Sequence, residues 1–542
     1  MKKLSIIITS ILLLLAGALA GCSSSKSSSD SAASTKGVKQ EITVNLGGEP
    51  YTLDPAFASD TTSFWVIDHL YEGLYTHDKK GKVVLGAASD VNVSDDGRTY
   101  TFTIRDGAKW SNNDPVTAKD FEYSWKRVLN PKTAAYDPSS FYYIKGAEQY
   151  NAGKGKVEDV GITAKDDKTL VVELNQPIKF FPKVLLGEGF LPVNKNVVEA
   201  NQKWSAEASG IVTNGAYTAS EWKHNADLTL QKSKTYWDKK NITMGTIHFK
   251  MVADSTTEYQ MYKSNELDLV KSVPADVIDQ EKGSKEFKNS PSFSVYTYSF
   301  NVNEKPFNNA KIRKAFSEAI DREAITKNIS KGGEQPAYGY VAYGVKEPSG
   351  KDFRDEAPTY YKFDKKDAKK LLAEGMKEEG WSKLPAVTLK YNSEANHKKI
   401  AEALQEMFKQ NLDVNVKLEN QEWKTYIDTF KQKNFQMARM GWVGDFLDPY
   451  PVLNLYSAKS SSNFTNWKNQ KFDELLQQSL VEQDEEKRFK LLHEAEDVLM
   501  DDMPIIPIYF SSTNSLIKTN IKGITFDALT SPNLRFAKKV SE

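Results

Sequence analysis

Residues 397–419 read HKKIAEALQEMFKQNLDVNVKLE, a helical stretch that runs directly into a strand at Val414, Val416 and Leu418. A second helix lies upstream in NNAKIRKAFSEAIDREAITKNIS (308–330), with Ile312, Ala315, Phe316, Ala319 and Ile320 on one face. Downstream, KFDELLQQSLVEQDEEKRFKLLHEAEDVLM (471–500) reads as two helices joined around Glu482 to Asp484, followed by a buried strand in PIIPIYF (504–510). The first half of the chain obeys a different period. VSDDGRTYTFTIR (93–105) and AKDDKTLVVEL (164–174) each set an Asp-Asp turn before an alternating strand, with Tyr100, Phe102 and Ile104, then Leu170, Val172 and Leu174, on one face. Between these hairpins, PVTAKDFEYSWKRVL (115–129) offers Thr117 as a helix N-cap, Asp120 three residues on, and an apolar face of Phe121, Trp125 and Val128. Helix–strand units mixed with antiparallel hairpins define an α+β (mixed α/β) fold built on mixed sheets. No period of 20 to 50 residues marks a solenoid.

The chain opens on MKKLSIIITSILLLLAGALAGC, a charged start, an apolar run and the small-residue sequence Leu19-Ala20-Gly21-Cys22. It has the form of a secretory leader, too short and wrongly flanked for a membrane span. Its last four residues match the bacterial lipobox, in which the cysteine is diacylated and becomes the mature N-terminus. Cys22 is the only cysteine of the 542 residues, so no disulfide can form within the chain. SSSKSSSDSAASTKG (23–37) follows as a Ser-rich tether with nothing to build a core. The remaining chain, about 500 residues, is too long for one core and calls for two or three domains. Loss of Lys2 and Lys3 with the leader takes the balance of 72 basic and 72 acidic residues to a net −2. That leaves no nucleic-acid footprint. Aromatic residues reach 11%, with 10 Trp and 25 Tyr, the one compositional hint of a binding cleft.

No reaction chemistry announces itself. GxSxG, HExxH, Walker, GxGxxG and EF-hand patterns are absent, and none of His69, His77, His224, His248, His397 and His493 has another histidine within five residues. The sequence therefore implies no cofactor, no metal and no enzyme activity.

A binding reading survives for ARMGWVGDFLDP (438–449), where Arg439 and Asp445 stand six residues apart around Gly-Trp-Val-Gly. In extended chain they lie at most about 20 Å apart on one side of a strand, with Gly441 and Val443 between them on that side. Gly441 leaves room there. A zwitterionic peptide laid antiparallel to this strand would set its ammonium on Asp445 and its carboxylate toward Arg439, with backbone hydrogen bonds holding it whatever its side chains. An inter-domain salt bridge beside a core tryptophan accounts for the same residues equally well.

The stretch VKLENQEWKTYIDTFKQKNFQMARMGWVGDFLDP resembles the oligopeptide-binding proteins of Opp-type ABC importers. So do YTFTIRDGAKWSNNDPVTAKDFEYSWKRVLNPKT, GIVTNGAYTASEWKHN, PFNNAKIRKAF with AIDREAI, and NSEANHKKIA, in family order from about residue 42 onward. The resemblance implies a type II periplasmic-binding-protein-like fold, two lobes about a hinge with an additional inserted domain. It places a signal peptide at 1–21, a tether at 22–37, lobe I at 38–71 with 206–297 and 513–542, inserted domain II at 72–205, and lobe III at 298–512.

Residue by residue, the resemblance puts Asp445 on the family aspartate that pairs with the peptide ammonium. Arg439 and His397 fall on basic positions that receive the carboxylate of peptides of different length. Trp423 and Trp442 fall on cleft tryptophans, Gly441 to Val443 on the ligand-pairing strand, and Ser59, Asp60 and Thr61 on the segment that pairs with the ligand's other edge. The chain departs from the pattern in three places. Asn301 replaces an acidic position, Ser330 with Lys331 beside it replaces a basic one, and Phe430 replaces an arginine, which favours an apolar ligand side chain. The function implied is extracytoplasmic capture of short peptides with free termini and broad side-chain tolerance. A lipid-anchored monomer on the outer face of the cell membrane would deliver them to the permease subunits of an ABC importer. Receptors for a dedicated signalling peptide or a dipeptide are alternatives within the family, and an exported lipoprotein hydrolase is one outside it.

Overall fold

The computed structural model describes residues 34–541 except 275, 394, 422, 445, 461, 527, 528 and 530, and leaves out the side chains of 395, 423, 424 and 427. The leader, Cys22 and most of the tether therefore lie outside the described residues, as does Asp445.

One eleven-stranded sheet runs through both lobes. Its path is Val416–Gln421, Val387–Asn392, Met437–Val443, Phe287–Phe300, Ile505–Ile517, Leu269–Val270, Glu41–Asn45, Thr246–Lys250, Asp227–Lys232 and Tyr217–Lys223, with Gln335–Pro336 added on Ile505–Ile517. Two long antiparallel strands, Phe287–Phe300 and Ile505–Ile517, belong to both halves. Residues 287–291 of the first pair with 512–516 of the second, and residues 295–299 pair with 505–510, with register shifts between Pro291 and Val295 and between Tyr296 and Thr297. A bulge interrupts a ladder and bends it. The chain therefore carries its own flexure where it passes between lobes, a few residues before the boundary expected at 297/298.

In the second lobe the sheet is covered on both faces. Tyr298, Phe300, Ile506 and Ile508 face the helices Ala310–Glu318, Lys365–Glu378 and Ala395–Leu412, whose Ile312, Phe316, Ile400, Leu404 and Phe408 are fully buried. Ile505 and Phe510 face the other way, toward Gln470–Val481 and Glu485–Asp502, the two helices expected around Glu482 to Asp484. The first lobe packs helix Thr61–Leu70 on its strands, with Trp65 edge-on to Phe249 at 5.2 Å.

Both predicted hairpins belong to one four-stranded sheet of the inserted region, where Tyr100 sits opposite Val172 and Phe102 opposite Leu170. Helix Ala118–Leu129 covers that sheet. Its start is the expected one, with the Thr117 N–H donating to Asp120 Oδ2 at 2.8 Å. Arg127 on this helix binds Asp54 of the first lobe with both arms (2.9 and 2.6 Å). Glu72 accepts from Trp237 Nε1 at 2.6 Å, from the Tyr236 hydroxyl and from Arg535 at 3.3 Å, so the inserted region is bolted to the first lobe by buried charge.

Candidate functional site

Arg439 lies on Met437–Val443, which pairs along its full length with the crossing strand, Val443 opposite Ser294 and Met437 opposite Phe300. On its other edge only Met437 and Ala438 are paired, in parallel, with Leu389 and Lys390. A buried tyrosine causes the split. Tyr426, on helix Trp423–Lys431, donates its hydroxyl to Arg439 O and stands 3.5 Å from Lys390 O, filling the fork between the strands. Beyond that wedge the strand edge from Met440 to Val443 has no strand partner among the described residues, and Val443 is 55% exposed.

The two faces of this open edge differ. On one, the Arg439 guanidinium lies 4.5 Å above the Tyr296 ring and reaches Asn392 Oδ1 at 3.4 Å. The Tyr296 hydroxyl is 3.1 Å from His397 Nδ1, and its ring stacks on Tyr509 at 4.7 Å. The structure thus brings Arg439 and His397 together through Tyr296, a residue the sequence reading missed. The alternation of Tyr296, Tyr298 and Phe300 marks a strand but not which tyrosine meets a cation. At Gly441 an added Cβ would stand 3.2 Å from Val295 O and 3.6 Å from Arg439 Nη2, so the space it leaves adjoins the arginine. Among the described residues the guanidinium meets the Tyr296 ring and Asn392, and its buried Nε has no hydrogen-bond partner among them.

On the other face, Met440 and Trp442 line a pocket with Phe430, Tyr340 and Phe464. Phe430 is buried, stacked on Phe435 at 4.9 Å and edge-on to Phe464 at 5.1 Å. The wall carries no charged side chain: aromatic rings dominate it, Thr297, Ser299, Ser462 and Thr465 add hydroxyls, and the buried Trp442 indole N–H has no partner among the described residues.

The other expected residues are placed less simply. Asp60 is the N-cap of Thr61–Leu70, accepting from Ser63 N at 2.8 Å and Ser63 Oγ at 2.6 Å; its carboxylate is committed, while Ser59 and Thr61 are exposed beside it. Asn301 is buried and engaged within its lobe, donating to Lys433 O at 2.9 Å and accepting from Asn466 Nδ2 and Asn303 N. It holds loops rather than lining the pocket. Lys331 is exposed, at φ +56°, with its charge acting on Asp279 of the other lobe. Trp423 begins a helix whose first side chains are outside the described set, and Asp445 lies outside it altogether. Among the described residues no cluster of three His, Cys, Asp or Glu side chains could hold a metal ion, and no helix is long and apolar enough to cross a membrane.

A split sheet joined by two crossing strands, with an unfilled strand edge beside it, defines a two-lobed solute-binding protein. The chain belongs to the bacterial extracellular solute-binding proteins, family 5, whose model matches residues 82–464. It is 42% identical over 507 residues to the dipeptide-binding protein DppE of Bacillus subtilis, covering 94% of this chain and 93% of that protein. It is 40% identical over 533 residues to the oligopeptide-binding protein OppA of the same organism, covering 96% and 97%. Among solved structures, the murein tripeptide binding protein MppA in its unliganded open form superposes with a TM-score of 0.82 at 31% identity, covering 94% of this chain and 99% of that one. Listeria monocytogenes OppA bound to peptide gives 0.72 at 30% identity, covering 93% and 100%.

Proposed function

We propose that the protein captures short peptides with free termini between its lobes and hands them to the permease of an ABC importer. The observation that carries this reading is the edge from Met440 to Val443, open among the described residues, with the Arg439 guanidinium beside it. A peptide added there satisfies idle backbone groups, sends alternate side chains to the two faces, and brings a carboxylate to Arg439 or, at another length, to His397. Asp445, at the far end of the same run, takes the ammonium. Gly441, Trp442 and Val443 form the pairing strand, Trp423 adds a wall, and Ser59 to Thr61 meet the ligand from the first lobe. The pocket under Phe430 takes an apolar side chain. Lobe I (38–71, 206–297, 513–542) and lobe III (298–512) close on the ligand, and the inserted domain (72–205) helps shape the rim. The protein acts as a monomer, without cofactor or catalysis, held to the outer face of the membrane by a lipid on Cys22.

Native mass spectrometry of the purified protein tests the reading: a ladder of co-purified peptide masses is expected, and a ligand that is not a peptide would overturn it. The resemblance to a protein named dipeptide-binding favours a second reading, a receptor for dipeptides or one dedicated peptide. A single bound mass would select it. Cys22→Ser should release the protein from the membrane fraction; retention would refute the anchor.

A further inference from the structure

The inserted region touches both lobes. Phe180, just before the short helix Phe181–Val184, stacks on Phe446 at 5.0 Å and Tyr450 at 5.3 Å, both in the segment that follows the candidate peptide-pairing strand. Lys183 donates to Leu447 O at 2.9 Å and to Asp448 Oδ2 at 3.1 Å. Asp448 is fully buried and also gripped by both arms of Arg488, at 2.5 and 3.0 Å. The Arg488 guanidinium lies 5.3 Å from the Phe180 ring centre. Burial pushes the Asp448 carboxyl up, but Arg488 and Lys183 outweigh it and hold it at about 2, so the carboxylate stays charged at any physiological pH. Upstream, the Gly444 N–H donates to Phe293 O at 2.9 Å, and the Phe293 ring lies where a Gly444 side chain would be. The residues on both sides of Asp445 are therefore fixed, upstream by the crossing strand and downstream by the inserted domain.

We infer that Phe180 and Lys183 are positioning residues of the peptide site: by clamping residues 446–450 from the inserted domain, they set where the strand's C-terminal end meets the ligand's amino terminus. The inference rests on the proposed ammonium role of Asp445. Arg488 alone neutralises Asp448 and suffices for burial, since removing Lys183 leaves a bidentate ion pair intact. What Lys183 adds is the tie to another domain, through Leu447 O. A clamp across domains contributes geometry more than fold stability, and a displacement of about 1 Å is enough to weaken a charge-assisted contact.

The experiment compares one peptide with a free amino terminus and its N-acetylated form by calorimetry, using wild type, Lys183→Met, Lys183→Arg, Phe180→Ala and Asp445→Asn. In Lys183→Met the preference for the free terminus should fall at least about fivefold, with the acetylated peptide bound within about twofold of wild type. Lys183→Arg should restore most of the preference. A merely structural lysine would lower both affinities together or neither, and either result overturns the inference, as does unchanged preference in Lys183→Met and Phe180→Ala when Asp445→Asn abolishes it. Should Asp445→Asn leave the preference intact, the ammonium reading fails and the inference with it. If Phe180→Ala does not fold, Lys183→Met carries the test.

Discussion

Arg439→Met isolates the carboxylate-binding step, because methionine retains an apolar stem and removes only the charge. Among the described residues the arginine interacts with the Tyr296 ring at 4.5 Å and weakly with Asn392 at 3.4 Å. A cation–π contact is worth about 0.5 to 1 kcal/mol at a partly exposed site, so the melting temperature should barely move. A carboxylate docked on the guanidinium is another matter: deleting one partner of a desolvated charge pair costs about 2 to 5 kcal/mol. Arg439 is only partly buried, which places the expected loss near the lower end, about 2 to 3 kcal/mol or roughly 30- to 150-fold in Kd. Calorimetry on peptides of increasing length, each as free acid and as amide, reads that loss directly. The acid-over-amide preference should vanish for the length whose carboxylate reaches Arg439 and persist for the length held at His397. Wild-type preference at every length, or equal loss at every length, would refute the assignment.

Three shorter expectations follow from the same geometry. Trp442→Phe removes a buried donor that no group among the described residues satisfies, so the apo melting temperature should hold or rise while peptide affinity falls about five- to tenfold in titration. Gly444→Ala would drive a methyl to within 2.2 Å of Phe293, and the overpacking should cost about 1 to 3 kcal/mol or more in urea unfolding; a neutral result would mean that the crossing strand yields easily. Burial holds His69 at about 4, with the Nδ1 proton donated to Trp65 O at 2.7 Å and Nε2 accepting from Leu534 N–H at 3.1 Å. Its folded pKa is below the unfolded value near 6.5, so its contribution is complete above that pH and is lost as the pH falls toward 4. The amount is about 3 kcal/mol, read from urea melts across that window and flattened in His69→Gln.

The local layer of the structure was legible in the sequence. Thr117 with Asp120, the alternation of Tyr100, Phe102 and Ile104, and the run from the 395–412 helix into Val416 all obey short-range periods that survive burial. What could not be read was pairing between distant segments, because alternation says that a strand exists and not which neighbour it takes. Glu41–Asn45 lies beside Thr246–Lys250, and Phe287 opposite Leu516, with nothing local to announce either pairing. The site divides in the same way. Arg439 and Gly441 could be placed on one face by parity, but Tyr296, which joins Arg439 to His397, and Tyr426, which opens the strand edge, come from segments that meet only in the folded chain. Asn301 shows the converse: a position read as ligand-facing is occupied with holding loops together.

Closure also has an energetic requirement that assigns a task to the first lobe. A ligand shifts an equilibrium between open and closed forms only by its differential affinity for them, and moving a population from mostly open to mostly closed takes about 5.5 kcal/mol. The contacts proposed for Arg439, His397 and Trp442 all come from the second lobe, so they would form equally well in either state and supply none of that difference. The difference must come from groups that the ligand meets only when the lobes approach, and the exposed residues Ser59 and Thr61, flanking the capped Asp60, are the proposed source. Asp60→Ala removes both bonds to Ser63 and loosens that segment, at about 1 kcal/mol of helix stability, without touching the second lobe. The variant should still bind peptide, more weakly, yet show a smaller contraction on peptide addition in small-angle X-ray scattering. A contraction equal to that of the wild type would mean that the closing force arises elsewhere, and would remove Ser59 to Thr61 from the site.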